Sequence, residues 1–139
     1  MLRRWTPSIV LLVCGAIVSG IDFSNGQFVT AIIFAVVFLL VAVAVSPRAF
    51  PRSVTHAEAV AAGGPTVYWR PGCPYCIRLR ASLGRDAAKL RWVDIWADPA
   101  GAAAVREVAD GNETVPTVIT ADRSYVNPDP AVVRALARA

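Results

Sequence analysis

At 139 residues the chain has room for one ordinary domain plus a small extra element. Hydrophobic residues make up 55% and charged residues 17%, above and below the usual globular levels, and the excess is concentrated in the first third. The formal net charge of +4 does not mark a nucleic-acid binder: from Gly64 onward ten Lys/Arg stand against eight Asp/Glu, and no basic stripe with interleaved aromatics is present.

Between Ile9 and Val45 the only charged residue is Asp22. Two apolar runs, residues 6–21 and 28–45, flank the polar stretch 22–27. A spanning helix needs about 20 residues, with a range of about 17–25. The second run meets this readily, and its β-branched residues are no obstacle in lipid, where the backbone must bond within its own segment. The first reaches the length with Trp5 as an interfacial anchor. These features predict a two-helix transmembrane hairpin over residues 1–46. An alternative for the first run is a cleaved signal peptide, with Arg3-Arg4 as the basic start and Val18-Ser19-Gly20 as a small-residue cleavage site. Arg3, Arg4, Arg48 and Arg52 flank the runs, and the loop between them has no cation. The positive-inside rule then places both ends of the hairpin, and whatever follows it, in the cytosol. Cys14, inside the first run, reads as a small residue at a helix contact.

Residues 47–64 hold two prolines, two arginines, His56 and Gly63-Gly64, the composition of a linker that accommodates a short helix over His56–Ala62. His56 has only Glu58 near it at ligand spacing and reads as a solvated linker histidine.

Residues 65–139 read as a soluble domain. Thr66-Val67-Tyr68-Trp69-Arg70 is β-branched and aromatic after Gly-Gly-Pro, and predicts a strand. Pro71-Gly72 breaks it, and Cys73-Pro74-Tyr75-Cys76 opens a helix in which Ile77, Leu79, Leu83 and Ala87 recur at helical spacing. Pro74 suits the first helical turn, where its missing N–H costs nothing. Residues 90–96 alternate, with Trp92, Asp94 and Trp96 on one face and Val93 and Ile95 on the other. Asp98-Pro99 is an N-cap followed by proline, and starts an alanine-rich helix over residues 101–109. Residues 118–120 and 124–126 predict two strands around a turn. Asp129-Pro130 then caps a closing helix through Val132, Val133 and Leu136. The order is β-α-β-α-β-β-α, and its first βαβ unit is a right-handed crossover between parallel strands. About 75 residues bury enough surface only if helices cover both faces of the sheet, with Trp69, Trp92 and Trp96 supplying much of the area.

Three cysteines, two of them in one Cys-x-x-Cys, do not make a framework of disulfides. Disulfide exchange needs a thiolate, and a free cysteine with a pKa near ~8.5 is mostly protonated at neutral pH. A cysteine where a helix begins faces unsatisfied backbone N–H groups and the positive end of the helix dipole, both of which favour the anion. Cys73 is therefore the expected nucleophile, with Arg70 adding positive potential. Cys76, one turn on, is placed to resolve a mixed disulfide. Zinc would need a second Cys/His pair, and only His56 and Cys14 remain, so no metal site is expected within one chain. Thr114-Val115-Pro116-Thr117 has two readings: an ordinary proline at the start of a strand, or a cis-proline loop opposite Cys73 that leaves the Val115 backbone to pair with an extended thiol substrate.

Arg70-Pro-Gly-Cys73-Pro-Tyr-Cys76 and Thr114-Val-Pro116, in this element order, resemble the glutaredoxin family from Thr66 to about Ala137. Val93-Asp94-Ile95, the helix through Ala102 to Arg106, Gly111-Asn112-Glu113-Thr114-Val115-Pro116-Thr117-Val118 and Asn127-Pro128 are similar to the mycoredoxin branch. The resemblance implies a thioredoxin-like α/β fold, a four-stranded mixed sheet with three helices, here preceded by two transmembrane helices. It implies a thiol–disulfide oxidoreductase acting on disulfide-containing or S-thiolated proteins. A low-molecular-weight thiol, mycothiol in preference to glutathione, would be the co-substrate, with no bound cofactor. It assigns Cys73 and Cys76 to catalysis, and Arg70, Tyr75, Thr114, Val115, Pro116 and Asn127 to the thiol groove. Two positions depart from the family pattern: Pro74, where mycoredoxins commonly carry glycine, and Asn127-Pro128, where glutaredoxins usually carry Gly-Gly. The expected location is the cytoplasmic membrane with the redox domain facing the cytosol. The competing expectation is a membrane-tethered interaction module, or one that shares an iron–sulfur cluster between two chains.

Overall fold

The structure is a computed structural model and describes residues 2–139. It divides into two compact units, Met1–Ala49 and Phe50–Ala139.

In the first unit, helices α1 (Thr6–Ser24) and α2 (Phe28–Val45) form a hairpin joined by a three-residue turn. Gly26, at φ +76°, takes the left-handed conformation that reverses the chain. The helices lie close because Gly15 leaves room: a Cβ there would sit 2.6 Å from that of Phe38. The Ser8 hydroxyl donates to the Ala42 carbonyl across the pair at 3.0 Å. At the turn end Phe23 and Phe28 meet edge to face, and at the open end Arg48 lies over the Trp5 ring. The outward faces carry exposed Ile, Leu, Val and Phe along both helices, and each helix is long and apolar enough to cross a bilayer.

In the second unit, α3 (His56–Ala62) precedes β1 (Thr66–Trp69), α4 (Pro74–Leu83), β2 (Arg91–Asp94), α5 (Pro99–Val108), β3 (Thr117–Ile119), β4 (Ser124–Val126) and α6 (Pro130–Leu136). The strands make one mixed sheet in the order β2-β1-β3-β4. β1 and β2 are parallel, with Trp69 opposite Asp94, while β1–β3 and β3–β4 are antiparallel. Successive β1 residues point to opposite faces. The Tyr68 face takes α3 and α5, where Gly101 lets α5 approach so closely that a Cβ would lie 2.7 Å from the Val93 side chain. On the Trp69 face the Trp92 indole N–H donates to the Ala87 carbonyl, and Arg134 of α6 bonds to the Ser82 carbonyl of α4. Trp69 and Trp92 are fully buried, as the small size of the unit demands.

The structure adjusts several sequence expectations. Residues 47–64 are not a free linker from Phe50 onward. The Phe50 ring stacks on Trp69 at 3.8 Å between centroids, and Val54 N–H bonds to the Trp92 carbonyl beside a one-residue bridge at Ser53. This rung covers the outer edge of β2, which would otherwise offer unpaired backbone groups. Thr55 and Glu58 form a reciprocal capping box that starts α3. His56 is half-buried rather than solvated: its Nδ1 lies 2.8 Å from the Tyr68 hydroxyl, and its backbone N–H bonds to the Asp98 carboxylate. The helix after Cys73 stops at Leu83, because Gly84 at φ +55° turns the chain into a 3-10 segment, Gly84–Lys89. β2 ends at Asp94, where Ala97 and Asp98 N–H fold back onto the Asp94 carbonyl. Side chains along β2 alternate between the two faces as expected, Val93 toward α5 and Trp92 toward Ala87, and residues 92–95 are all buried because β2 has cover on both faces.

Candidate active site

The dithiol sits where the chain leaves β1 and enters α4. Pro71-Gly72 breaks the strand, Gly72 takes φ +76°, Cys73 becomes the N-cap with extended backbone angles of −80° and 113°, and Pro74 opens the helix. Its sulfur accepts the Cys76 N–H at 3.3 Å, so a thiol does here what a serine or aspartate hydroxyl or carboxylate does at most helix starts. Both cysteines are free; Cys73 is 5% exposed and Cys76 fully buried.

The electrostatics separate the two thiols. Hydrogen bonding from the Cys76 thiol is the largest influence on Cys73; burial opposes it, and the N–H of Cys76, the Arg70 charge and the N–H of Tyr75 assist. Together they bring Cys73 down to about 6. Roughly nine in ten of its sulfurs are then thiolate at pH 7, against a few per cent for a free cysteine. Cys76 moves the opposite way: burial, and then the neighbouring Cys73 sulfur, push its thiol far up. One sulfur is poised to attack while the other stays protonated as donor.

The segment before β3 closes the site. The Val115–Pro116 peptide is cis, and the Val115 carbonyl lies 3.4 Å from the Cys73 sulfur, accepting from it in the protonated, thiol form. The Thr117 hydroxyl donates to the Thr114 carbonyl at 2.8 Å and holds this bend. The Pro116 carbonyl in turn accepts the Asn127 N–H at 2.8 Å, with Asn127 in the left-handed region at φ +49°. Beside the dithiol runs an open groove of about 340 Å³. Tyr75, Arg78 and Leu79 of α4 form one wall, and Pro116 with residues 127–130 forms the other. Tyr75 stands 59% exposed there.

Of the residues singled out in the sequence, Cys73, Cys76 and Val115 come together at the sulfur, and Tyr75, Pro116 and Asn127 line the groove. Thr114 contributes its carbonyl to the bend, and its side chain is exposed. Arg70 is not a groove-lining residue; its guanidinium lies over the Trp96 ring at 5.7 Å. Sequence reasoning passed over Arg78 and Asp129 as groove residues. The spacing of Arg78 from Tyr75, three residues along a helix, was the available signal for the first. A larger cavity of about 560 Å³ lies between α3 and α5 on the Tyr68 face and contains no cysteine.

A thiolate N-cap, a buried second thiol one turn on and a cis-proline segment facing them, on a four-stranded mixed sheet with helices on both faces, define a thioredoxin-fold dithiol protein. The glutaredoxin family profile matches residues 66–125. Two Mycobacterium tuberculosis proteins named as glutaredoxins, from strains H37Rv and CDC 1551, are each 41% identical over 71 residues, which cover 50% of this chain and 84% of the relative. The chain belongs to the glutaredoxin family.

Proposed function

We propose that this protein is a membrane-anchored, mycoredoxin-like oxidoreductase that reduces mixed disulfides on proteins, with mycothiol rather than glutathione as its electron source. The observation that carries the chemistry is the Cys73 sulfur held as an N-cap, bonded to the Cys76 N–H and brought to about 6. An attacking thiol works best when its pKa lies near ambient pH, high enough to stay nucleophilic and low enough to be ionised.

In the first exchange the Cys73 thiolate attacks the low-molecular-weight sulfur of a protein–S–S–R disulfide. The S–S bond breaks, the protein sulfur leaves and takes up a proton, and Cys73–S–S–R remains in the groove. A second R–SH gives up its proton and attacks the R sulfur; RS–SR departs and Cys73 returns as thiolate. The protein sulfur ends reduced, and two R–S groups end oxidised to each other. In the dithiol variant Cys76 loses its proton and attacks Cys73, forming the Cys73–Cys76 disulfide as R–SH leaves. Arg70 supports the thiolate, while Tyr75, Thr114, Val115, Pro116 and Asn127 shape the binding surface for R.

The preference for mycothiol rests on the far end of the groove. Glutathione carries two carboxylates and an ammonium, whereas mycothiol ends in an uncharged sugar and cyclitol. Pro128 and Pro130 have no N–H to give a carboxylate. The Asn127 N–H is committed to Pro116, and the Ala131 N–H to the Asp129 carboxylate at 2.7 Å. Asp129 adds a negative charge to the lining and offsets the Arg78 guanidinium on the opposite wall, so the groove has no surplus cation for a second carboxylate. A neutral polyol bonds to the Asn127 amide and the Asp129 oxygens without these penalties. A reductase-linked assay comparing the two thiols on matched mixed disulfides tests this. We expect kcat/KM at least about tenfold higher with mycothiol, the discrimination that unmet polar groups readily produce; equal rates, or faster turnover with glutathione, refute the preference.

The membrane reading draws on α1 and α2, on their exposed apolar faces, and on the arginines beyond their open ends. The same arginines favour a cytosolic redox domain.

A further inference from the structure

β1 and β2 run parallel and in register, so their C-terminal ends lie side by side, Trp69 opposite Asp94. The Ile95 N–H bonds to the Trp69 carbonyl at 3.0 Å and continues the ladder one step past the strands. The next residue on each side projects from this paired edge: Arg70 from β1, Trp96 from β2. The Arg70 guanidinium carbon lies 5.7 Å from the Trp96 ring centroid, within the range of about 6 Å over which an aromatic face attracts a cation. The Trp96 backbone is itself fixed, its N–H donating to Oδ1 of the fully buried Asp94 at 3.0 Å. On the other side the Arg70 carbonyl accepts the Cys73 N–H at 3.4 Å, which ties the residue to the start of α4.

We propose that Trp96 is a positioning residue for the redox cysteine: its indole face holds the Arg70 guanidinium at the sheet end beside Cys73 and so sets how readily that thiol ionises. The inference deepens the oxidoreductase reading and rests on it. Arginine has several rotatable bonds, and without a seat its charge spreads into solvent, where water screens it. A planar guanidinium matches a planar ring, so arginine rather than lysine suits this seat. In this arrangement Trp96 acts through Arg70. The charge of Arg70 is among the influences that lower Cys73. The other titratable groups around the site are Cys76 and Tyr75 on α4, Asp94 at the end of β2, which accepts the Trp96 backbone N–H, and Arg78 and Asp129 lining the groove; the Arg70→Gln background separates an effect carried by Arg70 from one carried by any of these.

The test is the pH dependence of Cys73 alkylation by iodoacetamide in the full-length protein, with Cys14 replaced by serine and Cys73 followed by peptide mass spectrometry. Trp96→Leu is expected to raise the midpoint by about half a pH unit, about a threefold loss of alkylation rate below it. Trp96→Phe, which keeps an aromatic face, should retain most of the parent behaviour. Arg70→Gln should raise the midpoint at least as far, and Trp96→Leu added to Arg70→Gln should do nothing more. An unchanged midpoint in Trp96→Leu, or an equal further rise in the Arg70→Gln background, overturns the proposal. If Trp96→Leu fails to fold by circular dichroism, Trp96→Met, which keeps bulk without a ring face, replaces it: a raised midpoint that disappears in the Arg70→Gln background supports the seat, and an unchanged midpoint, or a rise that persists there, refutes it. Alkylation requires no turnover, so a protein inactive on mixed disulfides would sink the oxidoreductase reading and still report on Trp96.

Discussion

Cys73 occupies a position that most helices give to an oxygen. Its sulfur accepts the Cys76 N–H, and the resulting ionisation near pH 6 follows first from the Cys76 thiol and only then from backbone and Arg70. The sign of the pH dependence is therefore fixed. The thiolate-dependent first exchange rises about tenfold per pH unit below about 6 and levels above it, measured as single-turnover rates on a mixed disulfide. Cys73→Ser should abolish turnover. Cys76→Ala removes the principal hydrogen-bond donor but leaves the backbone N–H, so it should keep monothiol exchange while moving the profile to higher pH. Equal loss in both variants would contradict the division of roles between the two sulfurs.

At the scale of elements, short helices are held by their first turns. Asp98 is the clearest case: its carboxylate accepts the Ala100 and Gly101 N–H groups of α5 and also the His56 N–H at the start of α3. One residue thus caps one helix and pins another to it. A single N-cap is worth about 1 kcal/mol. Asp98→Ala should cost about 2 kcal/mol in urea unfolding of the full-length protein, since a charged hydrogen bond to α3 is lost as well. Gly101 tests the packing of α5 on the sheet. Alanine there gains up to about 1 kcal/mol of helix propensity, but overpacking against a buried neighbour typically costs about 1–3 kcal/mol. With a Cβ only 2.7 Å from Val93, Gly101→Ala should lower the melting temperature, and a rise would mean that α5 shifts freely.

For the whole molecule the decisive feature is the division of charge and hydropathy between its two units. Residues from Gly64 onward are nearly balanced, and the surplus lies in Arg3, Arg4, Arg48 and Arg52 around the apolar helices. If those arginines set the orientation, an impermeant thiol reagent applied to intact cells should leave Cys73 unlabelled until the membrane is opened. Labelling without permeabilisation would place the dithiol outside and recast the protein as an oxidant rather than a reductant. Inside the hairpin the Ser8 hydroxyl meets the Ala42 carbonyl, and Phe38 packs against Gly15. Small residues at a close helix crossing suit association in lipid, where apolar outer faces gain nothing by meeting each other.

Local chemistry along the chain was enough to read the hairpin helices, the order of strands and helices after Thr66, the caps at Asp98 and Asp129, and Cys73 as the sulfur at a helix start. Each depends on neighbours within one turn or one strand, where propensity, capping and periodicity act directly. Tertiary structure alone decided that Phe50 stacks on Trp69, that His56 meets Tyr68, that Asp129 and Arg78 share the groove beside the dithiol, and that Trp96 lies under Arg70. Those pairs are separated by 12 to 51 residues, and the packing of the sheet, not any local preference, brings them into contact.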